Sequence, residues 1–122
     1  MIAQKGRTYK EVIGQITVDS LDAIIAEKSY TIIDVRNPKG IETQGSIPGA
    51  INVPFDSIDK FIEEDNTVFN NDNSILFCCT GGVMSYMAAM KAQEKGVKNV
   101  YNLEGGHSAW LKYKNKTGNE NE

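Results

Sequence analysis

The 122-residue chain has two cysteines, Cys78 and Cys79, side by side at the end of the apolar run Ile75 to Phe77 and followed at once by Thr80, Gly81 and Gly82. A thiol at the end of a strand, before a glycine turn into a helix, is placed for nucleophilic chemistry. Glycines let backbone N–H groups turn inward and approach an anion without side-chain collision. A helix starting near Val83 adds unpaired N–H groups and the positive end of its dipole. Such surroundings favour a thiolate, the reactive form of cysteine. Cys79 is therefore the expected nucleophile toward a sulfur or other soft electrophile, with Thr80, Gly81, Gly82, Val83, Met84 and Ser85 as its anion-binding loop. Neighbouring side chains of a strand face opposite ways, so Cys78 is expected to pack as a small hydrophobe. The other reading of Cys78, a resolving thiol for an oxidised Cys79, stays open.

The remaining polar residues offer less chemistry. His107 is the only histidine, and nothing beside it supplies the oriented partners of a triad, so a surface or helix-start position is expected. Adjacent cysteines make a strained disulfide. With no Cys-x-x-Cys pair and one histidine, no metal site and no cofactor are expected. Trp110, Met84, Met87 and Met90 read as packing; Glu63, Glu64, Asp65, Glu120 and Glu122 read as solvated charge.

The elements that would hold the cysteine loop follow from periodicity. Hydrophobic residues make up 40% of the chain and charged residues 24%, which suits one globular domain able to bury a core without staples. A net charge of -3 without a basic stripe argues against nucleic acid as partner. No leader pattern and no long apolar run are visible, so a cytoplasmic protein that spans no membrane is expected. Residues 1–15 form an N-terminal extension, 16–113 the domain and 114–122 a disordered polar tail. Helical spacing is predicted over Ile16 to Lys28, from Asp56 or Ser57 through Ile62, from Val83 to Gly96, and in a short last helix carrying Trp110. Strands are predicted at Thr31 to Val35, Ala50 to Val53, Ser74 to Cys79 and Asn99 to Leu103. Glycines 40, 45 and 49 with Pro48 specify a loop over Lys39 to Gly49, and Glu63 to Ser74 a surface return. Alternating short strands and helices predict an α/β fold: an open parallel sheet covered by helices on both faces, with ligands at the carboxyl ends of strands.

Four motifs then resemble, in order, those of the rhodanese-like domains of the sulfurtransferase superfamily: TIIDVRNP (31–38), GSIPGAINVP (45–54), CTGGVMS (79–85) and NVYNLEGGHSAW (99–110). The resemblance implies a rhodanese-like sheet and a sulfurtransferase whose Cys79 carries a persulfide between a donor, thiosulfate or a persulfide, and an acceptor thiol, cyanide or protein. It implies that Asp34 and Arg36 tie the first signature strand to its neighbours. It implies that Gly105 and Gly106 form the turn before the last helix. Related phosphatases have a loop one residue longer with a terminal arginine, whereas six residues run here from Cys79 to Met84. Met84 stands where many members carry the loop arginine, Ser46 where histidine is usual, and Gly40 where an acidic residue often follows. The alternatives are a rhodanese-like binding module without activity and a thiol redox protein using Cys78 and Cys79. A monomer or weak homodimer is expected.

Overall fold

The computed structural model describes residues 13–64 and 74–120. Five strands form one sheet: β1 (Gly14–Ile16), β2 (Tyr30–Asp34), β3 (Ile51–Asn52), β4 (Ser74–Cys78) and β5 (Val100–Leu103). Their spatial order is β1-β5-β4-β2-β3, and every neighbouring pair is parallel. Parallel neighbours need crossovers rather than tight turns. These are supplied by α1 (Leu21–Glu27), α2 (Pro38–Gln44), α3 (Ile58–Glu64) and α4 (Val83–Glu94), while α5 (Gly106–Glu120) closes the chain. The predicted α/β fold with an open parallel sheet is the fold observed.

The pleat sorts β4 between two cores. Ile75, Phe77 and Cys79 join Ile33, Val35, Ile58 and the alanines of α4. Leu76 and Cys78 join Ile32, Leu21, Ile24, Leu103 and Trp110. Thus α3 and α4 cover one face, α1 and α5 the other, and the two cysteines end on opposite sides of the sheet. Trp110 is a core residue, as its spacing predicted.

α4 packs by its smallest residues. Its buried side chains are Ser85, Ala88, Ala89 and Ala92, at the i, i+3, i+4 and i+7 positions of one helical face. They let the helix lie close on β4 and β5, which turns the larger residues away. The expected packing role holds for Met90, which lies partly buried against the core. It fails for Met84 and Met87, which are exposed along with Val83. The helix ends where Gly96 takes φ +96°, with Val97 N–H donating to Ala92 O at 3.0 Å and Gly96 N–H to Gln93 O at 3.0 Å.

Three other boundaries differ from expectation. Where glycines predicted a loop, Pro38–Gln44 is helical: Pro38 pre-sets the first turn, and the Asn37 side chain accepts from Gly40 N–H at 2.9 Å. At the N-terminal side Ile13 is buried and Gly14–Ile16 pairs with β5, so residues 13–15 belong to the sheet rather than to an extension. A 3-10 turn at Val18–Ser20 precedes α1 where one long helix was expected. The last helix is longer than expected: α5 runs on to Glu120, and Lys114 reaches both Asp22 (3.2 Å) and the face of Trp110 (5.0 Å to the ring centre). Most of the expected surface return at 63–74, and residues 1–12, lie outside the described residues. Among those described, no helix is long and apolar enough to cross a membrane.

Close packing of α4 makes a direct test. Ala88→Leu is expected to cost about 1–3 kcal/mol by overpacking, whereas Met87→Gln on the exposed side should change stability by less than about 0.5 kcal/mol. Urea unfolding followed by tryptophan fluorescence measures both; equal effects would mean that α4 is not seated on its alanines.

Candidate active site

β4 delivers Cys79 to the carboxyl edge of the sheet, one residue past the last ladder pair. Its side chain is 5% exposed, and its Sγ accepts two backbone N–H bonds, from Gly82 at 3.2 Å and from Ser85 at 3.3 Å. These donors come from the expected loop and the first turn of α4, where N–H groups have no partner within the helix. Gly82 has φ +97°, and a Cβ there would meet Gly105 N at 3.1 Å and Leu103 O at 3.3 Å. Only glycine fits that turn comfortably. Thr80, Gly81, Val83 and Met84 line the outer side of the loop and are exposed, Val83 by 73% and Met84 by 44%.

The carbonyl of Cys79 is held from another direction. His107 N–H donates to Cys79 O at 2.7 Å and Ser108 N–H to Thr80 O at 3.0 Å, so the end of β4 caps the first turn of α5. Two helix N-termini therefore converge on this residue, one at the sulfur and one at the carbonyl oxygen. The approach depends on Gly106, where φ is +64° and a Cβ would lie 2.5 Å from Cys79 O and 2.6 Å from Thr80 O.

Beneath the other side of the loop is a buried ion pair. Arg36 donates to Asp34 through Nη2 (2.7 Å) and Nε (3.0 and 3.1 Å), and the Arg36 backbone N–H adds a bond of 3.0 Å. Its Nη2 also donates to Gly45 O at 2.8 Å. Asp34 and Arg36 thus join the end of β2 to Gly45, the residue that ends α2. Arg36 Nη1 lies 3.4 Å from His107 Nδ1. A guanidinium can only donate, so Nδ1 must accept and the ring is neutral with its proton on Nε2. Burial lowers the His107 pKa, and Arg36 lowers it further while Asp34 opposes. His107 is 2% exposed, so it starts a helix as expected but is not at the surface.

The two thiols differ in surroundings. Cys78 is fully buried opposite Asp34 in the β2 register, and burial, reinforced by that carboxylate, pushes its pKa well up. Both cysteines are free, and among the described residues no three His, Cys, Asp or Glu side chains gather as a metal would need.

Sequence reasoning passed over the residues behind the loop. Asn102 is buried on β5, with its side chain bonded to Ser85, Gly82 O and Gln15. The signal was present: an amide in the middle of the apolar strand VYNL, on the face shared with Phe77.

The architecture is thus a parallel α/β sheet whose central strand leads to a thiol facing the N-terminus of a helix. The family model for the rhodanese-like domain matches residues 17–113, and the chain belongs to that family. It is 30% identical to mouse (Mus musculus) thiosulfate sulfurtransferase/rhodanese-like domain-containing protein 3, across 89% of this chain and 69% of the relative. It is 32% identical to the thiosulfate sulfurtransferase GlpE of Shewanella oneidensis, across 78% of this chain and 89% of that one. Among solved structures it is similar to a Rhodopseudomonas palustris protein of unknown function described as a possible tyrosine phosphatase, with TM-score 0.77, 30% identity, and coverage of 84% and 82%.

Two outcomes follow from this geometry. Gly106→Ala is expected to lower stability by at least about 2 kcal/mol, since backbone on both sides blocks the new methyl and a positive φ adds strain; equilibrium unfolding in urea measures it, and a loss below half that size would contradict the close approach. His107, whose pKa is lowered on folding, binds its proton more readily unfolded. Its contribution is intact above the unfolded value near 6.5 and is lost as pH falls from there through the folded value. Unfolding free energies at pH 7.5 and 5.5 should therefore fall more for the wild type than for His107→Asn; equal falls would place the titration elsewhere.

Proposed function

We propose that the protein is a sulfurtransferase that carries sulfane sulfur as a persulfide on Cys79. The observation that carries the reading is the Cys79 sulfur at the end of β4 accepting N–H bonds from Gly82 and Ser85. Relatives named thiosulfate sulfurtransferase support the same class of reaction. The Cys79 thiolate attacks the outer sulfur of thiosulfate; a new S–S bond forms, the old one breaks, and sulfite leaves with its electron pair. With an organic persulfide the leaving group is a thiolate. The acceptor, a thiol, cyanide or a protein thiolate, then attacks the terminal sulfur and releases Cys79. Backbone N–H donors around the sulfur stabilise the anionic persulfide without a cofactor.

The loop also bears on the donor. Thr80 to Ser85 contains no cationic side chain, and Arg36 is committed to Asp34. With Val83 and Met84 exposed at the mouth, the site suits an uncharged or protein-borne persulfide better than a dianion. The lack of a loop arginine to grip phosphate in two-point fashion argues against phosphatase chemistry. A redox role for the cysteine pair is disfavoured because Cys78 faces the opposite core. Two free thiols suit a reducing compartment, so we place the protein in the cytoplasm.

Incubation of the reduced protein with thiosulfate or a small organic persulfide is expected to add one sulfur to the intact mass, and Cys79→Ala to abolish the gain. No gain with either donor would indicate a binding module, and loss of two hydrogens a redox protein. Met84→Arg should lower the KM for thiosulfate by roughly 5- to 30-fold, the worth of one charge-assisted contact of about 1–2 kcal/mol. An unchanged or higher KM in steady-state kinetics would refute this account of the rim.

A further inference from the structure

Asn102 sits on the apolar face of β5 opposite Phe77, where an amide is costly to bury unless its hydrogen bonds are made. Its side-chain bonds run to the cysteine loop, to the first turn of α4 and to Gln15 on β1. Nδ2 donates to Gly82 O at 3.0 Å and to Gln15 Oε1 at 3.1 Å, and Oδ1 accepts from Ser85 Oγ at 2.5 Å. A carbonyl oxygen can only accept, so Gly82 O fixes which end of the amide faces it. Gly82 and Ser85 are also the two residues whose N–H groups point at Cys79 Sγ. One side chain therefore grips, by different atoms, both residues that supply donors to the sulfur.

We propose that Asn102 is the positioning residue of the site: it clamps Gly82 and Ser85 so that their N–H groups converge on Cys79 Sγ, with Gln15 on the edge strand β1 orienting the clamp. Asn102 itself touches no reacting atom. Gly82 needs such a hold because its left-handed turn connects a strand to a helix through exposed glycine and threonine. Without the clamp, the peptide that follows Gly82, held through Gly82 O, is free to turn and to shift the Gly82 backbone with it, and the N–H of the preceding peptide, once misdirected, loses most of its effect on a developing charge. The inference rests on the proposed role of the Cys79 thiolate but concerns only its surroundings, so it can be read on any electrophile.

The test is the rate of Cys79 alkylation by iodoacetamide against pH, with peptide mass spectrometry separating Cys79 from Cys78 and thermal unfolding run in parallel. Asn102→Leu keeps the branched shape, with a modest gain in bulk, and removes every side-chain hydrogen bond. At pH 7 it is expected to slow alkylation about 10-fold or more and to move the rate profile to higher pH. Gln15→Leu, at a position open to solvent, should slow it by roughly 2- to 3-fold in the same sense, since it only loosens the amide. A folded Asn102→Leu protein with the wild-type profile would overturn the proposal, because a residue that merely fills the core changes the melting temperature and not the thiol. If Asn102→Leu does not fold, Gln15→Leu decides: a profile identical to wild type overturns the clamp. In sulfur transfer the same variants should lose kcat with KM nearly unchanged. Should the wild type accept no sulfur at all, the proposed function fails, while the alkylation profiles still decide the role of Asn102.

Discussion

The site depends on the convergence of two helix N-termini on the residue that follows one strand. The sulfur of Cys79 receives N–H groups from the start of α4, and its carbonyl oxygen receives one from the start of α5. Each helix has orphan donors that must find acceptors. The strand end supplies them, so the bonds that satisfy the helices also orient the thiol. Gly82 and Gly106 are the points where this geometry constrains side-chain size, since a methyl at either would press on backbone that cannot yield. The same arrangement aims the positive end of both helix dipoles at one residue, where an anion gains from them without a charged side chain.

Buried polar groups brace this end of the sheet on both faces. On one side Asp34, Arg36 and His107 link the end of β2, the end of α2 and the start of α5. On the other, Asn102 and Ser85 link β5 to α4. Neither set is an inexpensive source of stability, since burying an ion pair costs about as much desolvation as the attraction returns. What such networks contribute is directional: they tie elements in one arrangement, whereas the alanine and isoleucine contacts around them would tolerate sliding. The neutral tautomer of His107 belongs to this logic, because a second cation beside Arg36 would break the network it completes.

Much of the site was legible in the sequence, and the reasons for the rest are specific. The strand before Cys79, the opposite orientation of the cysteines, the Gly-Gly turn and the helix beginning at Val83 all follow from periodicity and glycine chemistry. α2 was hidden because Gly40 reads as a breaker, while the compensating Asn37 cap and Pro38 are short-range signals easily taken for a turn. β1 is three residues long, too short for alternation to show. α4 was found but turned the wrong way: hydrophobicity singled out Val83 and Met87, whereas packing on a sheet selected Ser85 and the alanines for their size. α5 runs past its expected end, where Lys114 lies over Trp110 one turn earlier on the same helix and reaches Asp22 on α1. The clamp at Asn102 needs three strands and a helix brought together, which no local pattern reveals.

The paired cysteines finally make sense as a contrast of environments rather than as a couple. One residue of strand turns the side chain through to the other core, so Cys78 meets Leu76, Leu103 and Trp110 while Cys79 meets the loop. Burial and the nearby Asp34 push the Cys78 pKa up, and its side chain lies in the core on the other face of the sheet from Cys79. The Cys79 sulfur is met by the backbone N–H groups of Gly82 and Ser85. The outer side of the loop carries the exposed side chains of Val83 and Met84. The groups bonded to the sulfur and the groups at the surface are therefore different atoms, and a substitution at Met84 removes none of the bonds to the sulfur.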